Sequence, residues 1–236
     1  MGWSSRWRRW VLRFVLAPLV RPSTRAGFWE PQIRAYERDA RRHRPASGQI
    51  VFTGSSTIRF WRALEQDMAP LPVLNRGFGG AHMSHVARFL DRLVLVHRPS
   101  CVVLYAGDND LGLTSKLRPS DVLASLLEIR DRLFRSCPEA QLVLMSIKPS
   151  RLRALRWPDM ERVNRAMQEL AEDDPRVSYV DIAGPMLDQR GELKRSLLTW
   201  DGLHPSAEGY ALYTSLLMPH LRSLQGTQPD APAPGM

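Results

Sequence analysis

Ile50-Val51-Phe52-Thr53-Gly54-Ser55-Ser56-Thr57 is a short apolar, β-rich run that breaks into a glycine and three hydroxyl side chains. A buried strand ends this way when it enters a tight turn ahead of a helix. The same alternation recurs down the chain. Strands are predicted at 50–53, 73–75, 101–105, 141–146 and 177–180, and helices at about 57–67, 82–96, 119–136, 158–173 and 205–218. Pro119, Pro158 and Pro205 sit near three of the predicted helix starts, where the missing N–H does least harm. Five strands alternating with five helices predict an α/β fold, a three-layer α/β/α sandwich around a five-stranded, mostly parallel sheet.

At 236 residues and 44% hydrophobic content the chain can build one sizeable core with an appendage. The formal charge of +9 is unevenly placed. Residues 1–44 hold 11 Arg against Glu30, Glu37 and Asp39, a net of +8, and the remainder holds 22 basic and 21 acidic side chains. The body is therefore near neutral, and no nucleic-acid partner is expected from its charge. Three regions follow: a basic amphipathic leader at 1–44, a globular domain at 45–224 and a disordered tail rich in Pro, Ala and Gly at 225–236. No internal repeat is present.

Within the leader, Trp3, Trp7, Trp10 and Phe14 fall on one helical face, while Arg6, Arg9 and Arg13 gather elsewhere and Arg8 breaks the pattern. Such a segment, over about residues 3–20, reads as an element for an anionic membrane surface. Export is the competing reading, with an apolar run at 14–20, but Arg13 and Pro18 restrict that run and no A-x-A-like cleavage site follows. No stretch reads as a spanning helix. The expectation is a cytoplasmic, membrane-associated protein, with export or anchoring as the alternative. Two cysteines, Cys101 and Cys137, suggest neither a disulfide framework nor a metal knuckle.

Polar motifs follow three consecutive predicted strands: Ser56 after the first, Gly79-Gly80 after the second, and Asp108-Asn109-Asp110 after the third. In an open parallel sheet they share the carboxyl edge, where ligands bind. Asp201-Gly202-Leu203-His204 precedes the last helix, so the chain order is Ser…Asp…His, which permits a hydrolytic triad. A serine hydroxyl needs a base to take its proton, and the oxyanion it creates needs converging donors. The backbone N–H groups of Ser56 and Gly80 and the carboxamide of Asn109 suit that second role.

Each residue also has an ordinary reading. Ser56 alone is a helix N-terminal residue, His204 a turn residue before Pro205, Asn109 a turn-former, and Gly79-Gly80 relief for a crowded turn. Lys148 ends the fourth strand as a solvated loop cation or a contact for an anionic substrate group, and Arg151, Arg153 and Arg156 form a basic loop open to the same two readings. Trp61, Trp157 and Trp200 read as packing groups ahead of sugar platforms, with Trp200, next to Asp201, the best exception. His82 and His85 share a helix face but lack a third metal ligand. Asp108-Asn109-Asp110 has the D-x-D form of a metal-dependent nucleotide-sugar transferase, and a non-catalytic membrane-tethered binding domain is a further alternative. A dinucleotide fingerprint starting at Gly77 fails because His82 stands at its last glycine.

Taken together, the four segments resemble the SGNH/GDSL hydrolase superfamily. The blocks are Gly54-Ser55-Ser56-Thr57, Asn75-Arg76-Gly77-Phe78-Gly79-Gly80, Gly107-Asp108-Asn109-Asp110 and Asp201-Gly202-Leu203-His204, in family order across roughly residues 50–220. The resemblance implies a flavodoxin-like fold and an esterase or lipase that cleaves a small acyl-ester substrate without cofactor or metal. It further implies an acyl-enzyme on Ser56, with His204 as base, Asp201 orienting it, and Ser56, Gly80 and Asn109 forming the oxyanion hole. Two positions depart from the pattern. Ser55 stands where an acid is usual, which makes it a rival nucleophile, and Ala81 stands where an aspartate is frequent.

Overall fold

The computed structural model describes residues 27–43 and 48–226. Strands β1 (Ile50–Gly54), β2 (Val73–Gly77), β3 (Cys101–Tyr105), β4 (Gln141–Met145) and β5 (Val177–Val180) form one sheet in the order β2-β1-β3-β4-β5. Every neighbouring pair is parallel, with Ile50 registered against both Val73 and Cys101. The helices are α1 (Glu30–His43), α2 (Ser56–Arg59), α3 (Leu64–Asp67), α4 (Met83–Leu93), α5 (Pro119–Ser136), α6 (Trp157–Asp173) and α7 (Ala207–Gly226).

Strand side chains alternate between two cores, as the two-residue period requires. Val51, Val102, Leu104, Leu142 and Leu144 join the core beneath α1, α4, α5 and α6. Phe52, Val103, Tyr105, Val143 and Met145 join the core beneath α2, α3 and α7, with Ile58, Leu64, Tyr213 and Leu217. Both sheet faces are covered, which explains why the inner strands β1, β3 and β4 read as largely apolar runs. This is the three-layer α/β fold expected, with its sheet parallel throughout.

Besides the last helix, which the sequence reading ended at about 218 and which runs on to Gly226, two elements differ from that reading. The expected helix at 57–67 is two short helices, α2 and α3, because the Asn75 side chain on β2 donates to the carbonyls of Ile58 (2.7 Å) and Trp61 (3.4 Å). Those acceptors are then occupied where a continuing helix would use them. The second difference is α1, which falls in the segment read as leader. Trp29, Ile33, Tyr36 and Ala40 recur at helical spacing, and Trp29 and Ile33 are buried in the larger core. Arg92 on α4 clasps the same helix through Glu30 (2.8 Å) and Glu37 (2.6 Å). Residues 3–20 and 227–236, which carry the membrane-surface and tail expectations, lie outside the described residues.

The strand order places a topological switch between β1 and β3, the position at whose carboxyl edge open α/β sheets bind ligands. Ser56 leaves β1 there. Asn109 leaves β3 there.

Candidate active site

Gly54 closes β1 at φ +131°, and a Cβ there would fall 1.8 Å from the Tyr105 carbonyl oxygen. Only glycine lets the chain turn this tightly against β3. The Ser55 N–H donates to that same carbonyl (2.9 Å), and α2 begins at once, so Ser56 stands in the first helical turn. Its N–H is one of the donors that a helix start leaves unused internally.

Residues 199–205 fold into a compact turn that presents His204. The Asp201 Oδ1 accepts from Thr199 Oγ1 (2.8 Å), Leu203 N (2.8 Å) and His204 N (3.0 Å), and the Thr199 N–H donates to the His204 carbonyl (2.8 Å). The other carboxylate oxygen, Oδ2, meets His204 Nδ1 at 2.5 Å, and His204 Nε2 lies 2.9 Å from Ser56 Oγ. Burial works against the charge on Asp201, but these hydrogen bonds outweigh it and hold the carboxyl well below the usual carboxylate range. An ionised carboxylate only accepts, so Nδ1 carries the proton and Nε2 offers its lone pair to the Ser56 hydroxyl.

The sign of that depression fixes a pH dependence. A lowered folded pKa contributes stability above the unfolded value of about 3.9 and loses it as pH falls from there towards the folded value. Asp201→Asn is therefore expected to be less stable than the parent at pH 7, with the gap closing below about pH 4. Urea unfolding at pH 7 and pH 3 checks this, and a gap that widens in acid contradicts it.

Further contacts lock the histidine turn to the nucleophile turn. The Phe60 ring meets the His204 ring edge-on at 5.0 Å between centroids. Tyr210 on α7 stacks on Trp61 and donates its hydroxyl to the Thr57 carbonyl (2.9 Å). Tyr210→Phe keeps the stacking and is expected to cost about 1 kcal/mol in chemical denaturation. A loss above about 3 kcal/mol would show that more than one hydrogen bond had gone.

Of the predicted donors, Gly80 follows β2 at φ +73°, and no acceptor among the described residues takes its N–H. Asn109 Nδ2 donates to the Ala81 carbonyl (3.0 Å), which ties the β3 turn to the glycine turn. Its Oδ1 accepts from Arg153 Nη2 (2.8 Å). Ser55 is turned the other way: it is fully buried, with its hydroxyl 3.5 Å from Asp108 Oδ1.

Lys148 corrects the sequence reading, being neither solvated nor open to substrate. It is 1% exposed and pairs with Asp108 (3.3 Å) while donating to Tyr105 Oη (3.1 Å). Burial opposes the charge on Asp108, but the Lys148 ammonium and then Arg153 overcome it and keep the carboxyl below its ordinary value. Asp110 accepts from the Met83 N–H with both oxygens (3.0 and 3.1 Å) at the start of α4, and burial pushes its pKa up to about 7. With one carboxylate neutralised by Lys148 and the other capping a helix, Asp108-Asn109-Asp110 does not fit a cation-holding D-x-D. His85 Nδ1 accepts the His82 N–H (3.1 Å), and the ring packs against Trp29. Among the described residues, no three His, Cys, Asp or Glu side chains group to hold a metal.

Sequence reasoning missed the inward course of Arg153 and the Asp108–Lys148 pair. The only signal for either was a basic residue placed beside the carboxyl edge. Trp200, beside Asp201 and the best exception to the packing reading of the three tryptophans, is 81% exposed, whereas Trp61 is 1% exposed.

Fold and site define an α/β/α protein with a hydroxyl, an imidazole and a carboxylate hydrogen-bonded in series at the switch point of its sheet. Residues 26–212 match the model of the GDSL-like Lipase/Acylhydrolase family, and the chain belongs to that family. It is a hydrolase acting on ester bonds. No curated protein matches it in sequence. Among solved structures it is similar to a protein from Streptococcus pneumonia provisionally assigned as a platelet activating factor, at 24% identity and TM-score 0.71, covering 92% of this chain and 100% of that one. It is also similar to a GDSL-like lipase from Bacteroides thetaiotaomicron (18% identity, TM-score 0.68, 83% and 100% covered). A third is a variant of an acetyl-xylooligosaccharide esterase from Geobacillus Stearmophilus (19%, TM-score 0.60, 76% and 95%). At these identities the likeness shows the fold.

Proposed function

We propose that the enzyme cleaves carboxylic esters by double displacement through an acyl-enzyme on Ser56. His204 Nε2 takes the Ser56 proton as Oγ attacks the acyl carbon, and Asp201 holds the ring in the required tautomer and stabilises the imidazolium. The oxyanion is met by the N–H groups of Ser56 and Gly80 and by Asn109 Nδ2. His204 then protonates the departing alcohol, and a water activated by the same ring releases the acid. The observation that carries this reading is the unbroken series Ser56 Oγ, His204 Nε2, His204 Nδ1, Asp201 Oδ2 at 2.9 and 2.5 Å.

An activated ester such as p-nitrophenyl acetate is expected to give a burst of nitrophenol equal to the enzyme concentration when deacylation is slow. The burst should persist in Ser55→Ala and vanish in Ser56→Ala. A burst unaffected by loss of Ser56 would remove the assignment. For the segment at about residues 3–20, an anionic membrane surface remains the proposed partner on the strength of its Trp and Arg spacing. Co-sedimentation of the full chain with phosphatidylglycerol vesicles, but not with neutral ones, is the expected outcome, and equal binding to both contradicts it.

A further inference from the structure

Two side chains outside the proposed triad hold the oxyanion donors from behind. Trp29, just ahead of α1, donates its indole N–H to the Gly79 carbonyl at 2.8 Å in a buried hydrogen bond. A trans peptide is planar, with its C=O and N–H pointing in opposite directions. Fixing the Gly79 oxygen on Trp29 therefore fixes the Gly80 N–H pointing away from Trp29. Without that bond the two consecutive glycines could rotate this peptide at little cost.

Arg153 does the corresponding work for Asn109. The run Arg151–Arg156 breaks its helical course at Arg153 (φ −123°, ψ 16°), which sends this side chain inward while Ala154 and Leu155 stay exposed. Its neighbours pin the run to two further loops, Arg151 N–H to the Gly202 carbonyl (3.0 Å) and Arg156 Nη2 to the Leu117 carbonyl (3.1 Å). A guanidinium only donates. The Asn109 oxygen must therefore face Arg153 and its nitrogen the opposite side, where one N–H goes to Ala81 O and the second is left for the substrate. The flipped amide would turn an acceptor oxygen towards the developing oxyanion and leave the arginine unpaired. A cation on Oδ1 also polarises the amide and strengthens Nδ2 as a donor.

We propose that Trp29 and Arg153 are positioning residues for the oxyanion hole, setting the Gly80 N–H through the Gly79 carbonyl and the Asn109 amide through its oxygen. This rests on the oxyanion roles proposed above. The test uses full-length protein with a neutral substrate, p-nitrophenyl acetate, so that no substrate charge can respond to Arg153.

Arg153→Met is expected to lower kcat by about 10- to 30-fold with KM changed less than about threefold, since a group acting only in the transition state leaves ground-state binding alone. Arg153→Lys should recover part of that loss. In an Asn109→Ala background Arg153→Met should cost no more than about twofold, because the group it acts through is gone. Trp29→Phe keeps an aromatic side chain at this buried position and removes the donor together with one ring of the indole. It should lower kcat by about 5- to 10-fold at unchanged KM, and the same factor should persist in the Asn109→Ala background, since it acts on the other donor.

An undiminished kcat in Arg153→Met or Trp29→Phe, or full multiplicative loss on combining Arg153→Met with Asn109→Ala, overturns the corresponding limb. If Arg153→Met does not fold, Arg153→Lys in both backgrounds decides, with a loss confined to the Asn109 background expected. If Asn109→Ala itself has normal kcat, the oxyanion role of Asn109 fails instead.

Discussion

Ser56→Ala is expected to lower kcat by about 10⁴-fold or more while leaving the thermal unfolding temperature within a few degrees of the parent. The reason is geometric. Among the described residues Ser56 Oγ is the one hydroxyl hydrogen-bonded to the His204 ring, at 2.9 Å, and removing it leaves the imidazole with nothing to deprotonate but water. The fold has little stake in that oxygen, since α2 takes no side-chain cap from its N-terminal residues. Ser55→Ala is the informative control, because the two serines are adjacent and the family pattern alone leaves Ser55 a rival. Its hydroxyl faces Asp108 at 3.5 Å, a marginal hydrogen bond, so its loss should change kcat by less than about tenfold. A Ser55→Ala variant as inactive as Ser56→Ala would mean that the nucleophile turn is misassigned.

The largest expected effect on stability comes from Lys148. Its ammonium is buried beside Asp108 at 3.3 Å, and Lys148→Met would leave that carboxylate with the weak Ser55 contact and the more distant fields of Arg153 and His204. Removing one partner of a buried ion pair costs about 3–5 kcal/mol, because the other charge stays desolvated without compensation. Urea unfolding at pH 7 should show a loss of that size, and Lys148→Met combined with Asp108→Asn should recover more than half of it. A single-variant loss below about 1 kcal/mol, the range of exposed pairs, would show that the pair is hydrated.

The parts of this molecule that follow from local chemistry were legible in its sequence. β3 and β5 begin and end where their apolar runs do, and α5 spans 119–136 as Pro119 at its first position suggested. The closeness of Ser56, Asp201 and His204 was legible for a different reason: a strand, a turn glycine and a three-residue acid-to-histidine spacing are short-range patterns, and the turn at 199–205 meets the end of β1. What escaped depends on pairings between residues far apart in the chain. Trp29 reaches Gly79 across fifty residues, Lys148 reaches Asp108 across forty, and Arg153 reaches Asn109 across forty-four. Nothing beside Lys148 or Arg153 in sequence distinguishes an inward cation from a solvated one. The helix at Glu30–His43 was hidden by its arginines, which belong to its exposed side, although Trp29, Ile33, Tyr36 and Ala40 already held helical spacing.

The Gly80 and Asn109 turns show how the two kinds of information combine. Sequence position alone brought both to the carboxyl edge, and the family pattern supplied their roles. The structure adds what would direct such donors: the Gly79 carbonyl is held by Trp29 and the Asn109 oxygen by Arg153, while Asn109 Nδ2 gives one N–H to Ala81 and keeps the other. Preorganised donors of this kind need no rearrangement when charge develops.

The central claim is that the acyl group passes through Ser56. Rapid acid quench of the enzyme with excess p-nitrophenyl acetate, followed by proteolysis and fragmentation mass spectrometry, reads the site of acylation directly. The account predicts one acetyl group, about 42 Da, on Ser56 in the peptide that holds Gly54-Ser55-Ser56-Thr57, absent when His204 is replaced by alanine. An acetyl group on Ser55 or elsewhere, or turnover with no acylated serine at any quench time, would contradict it.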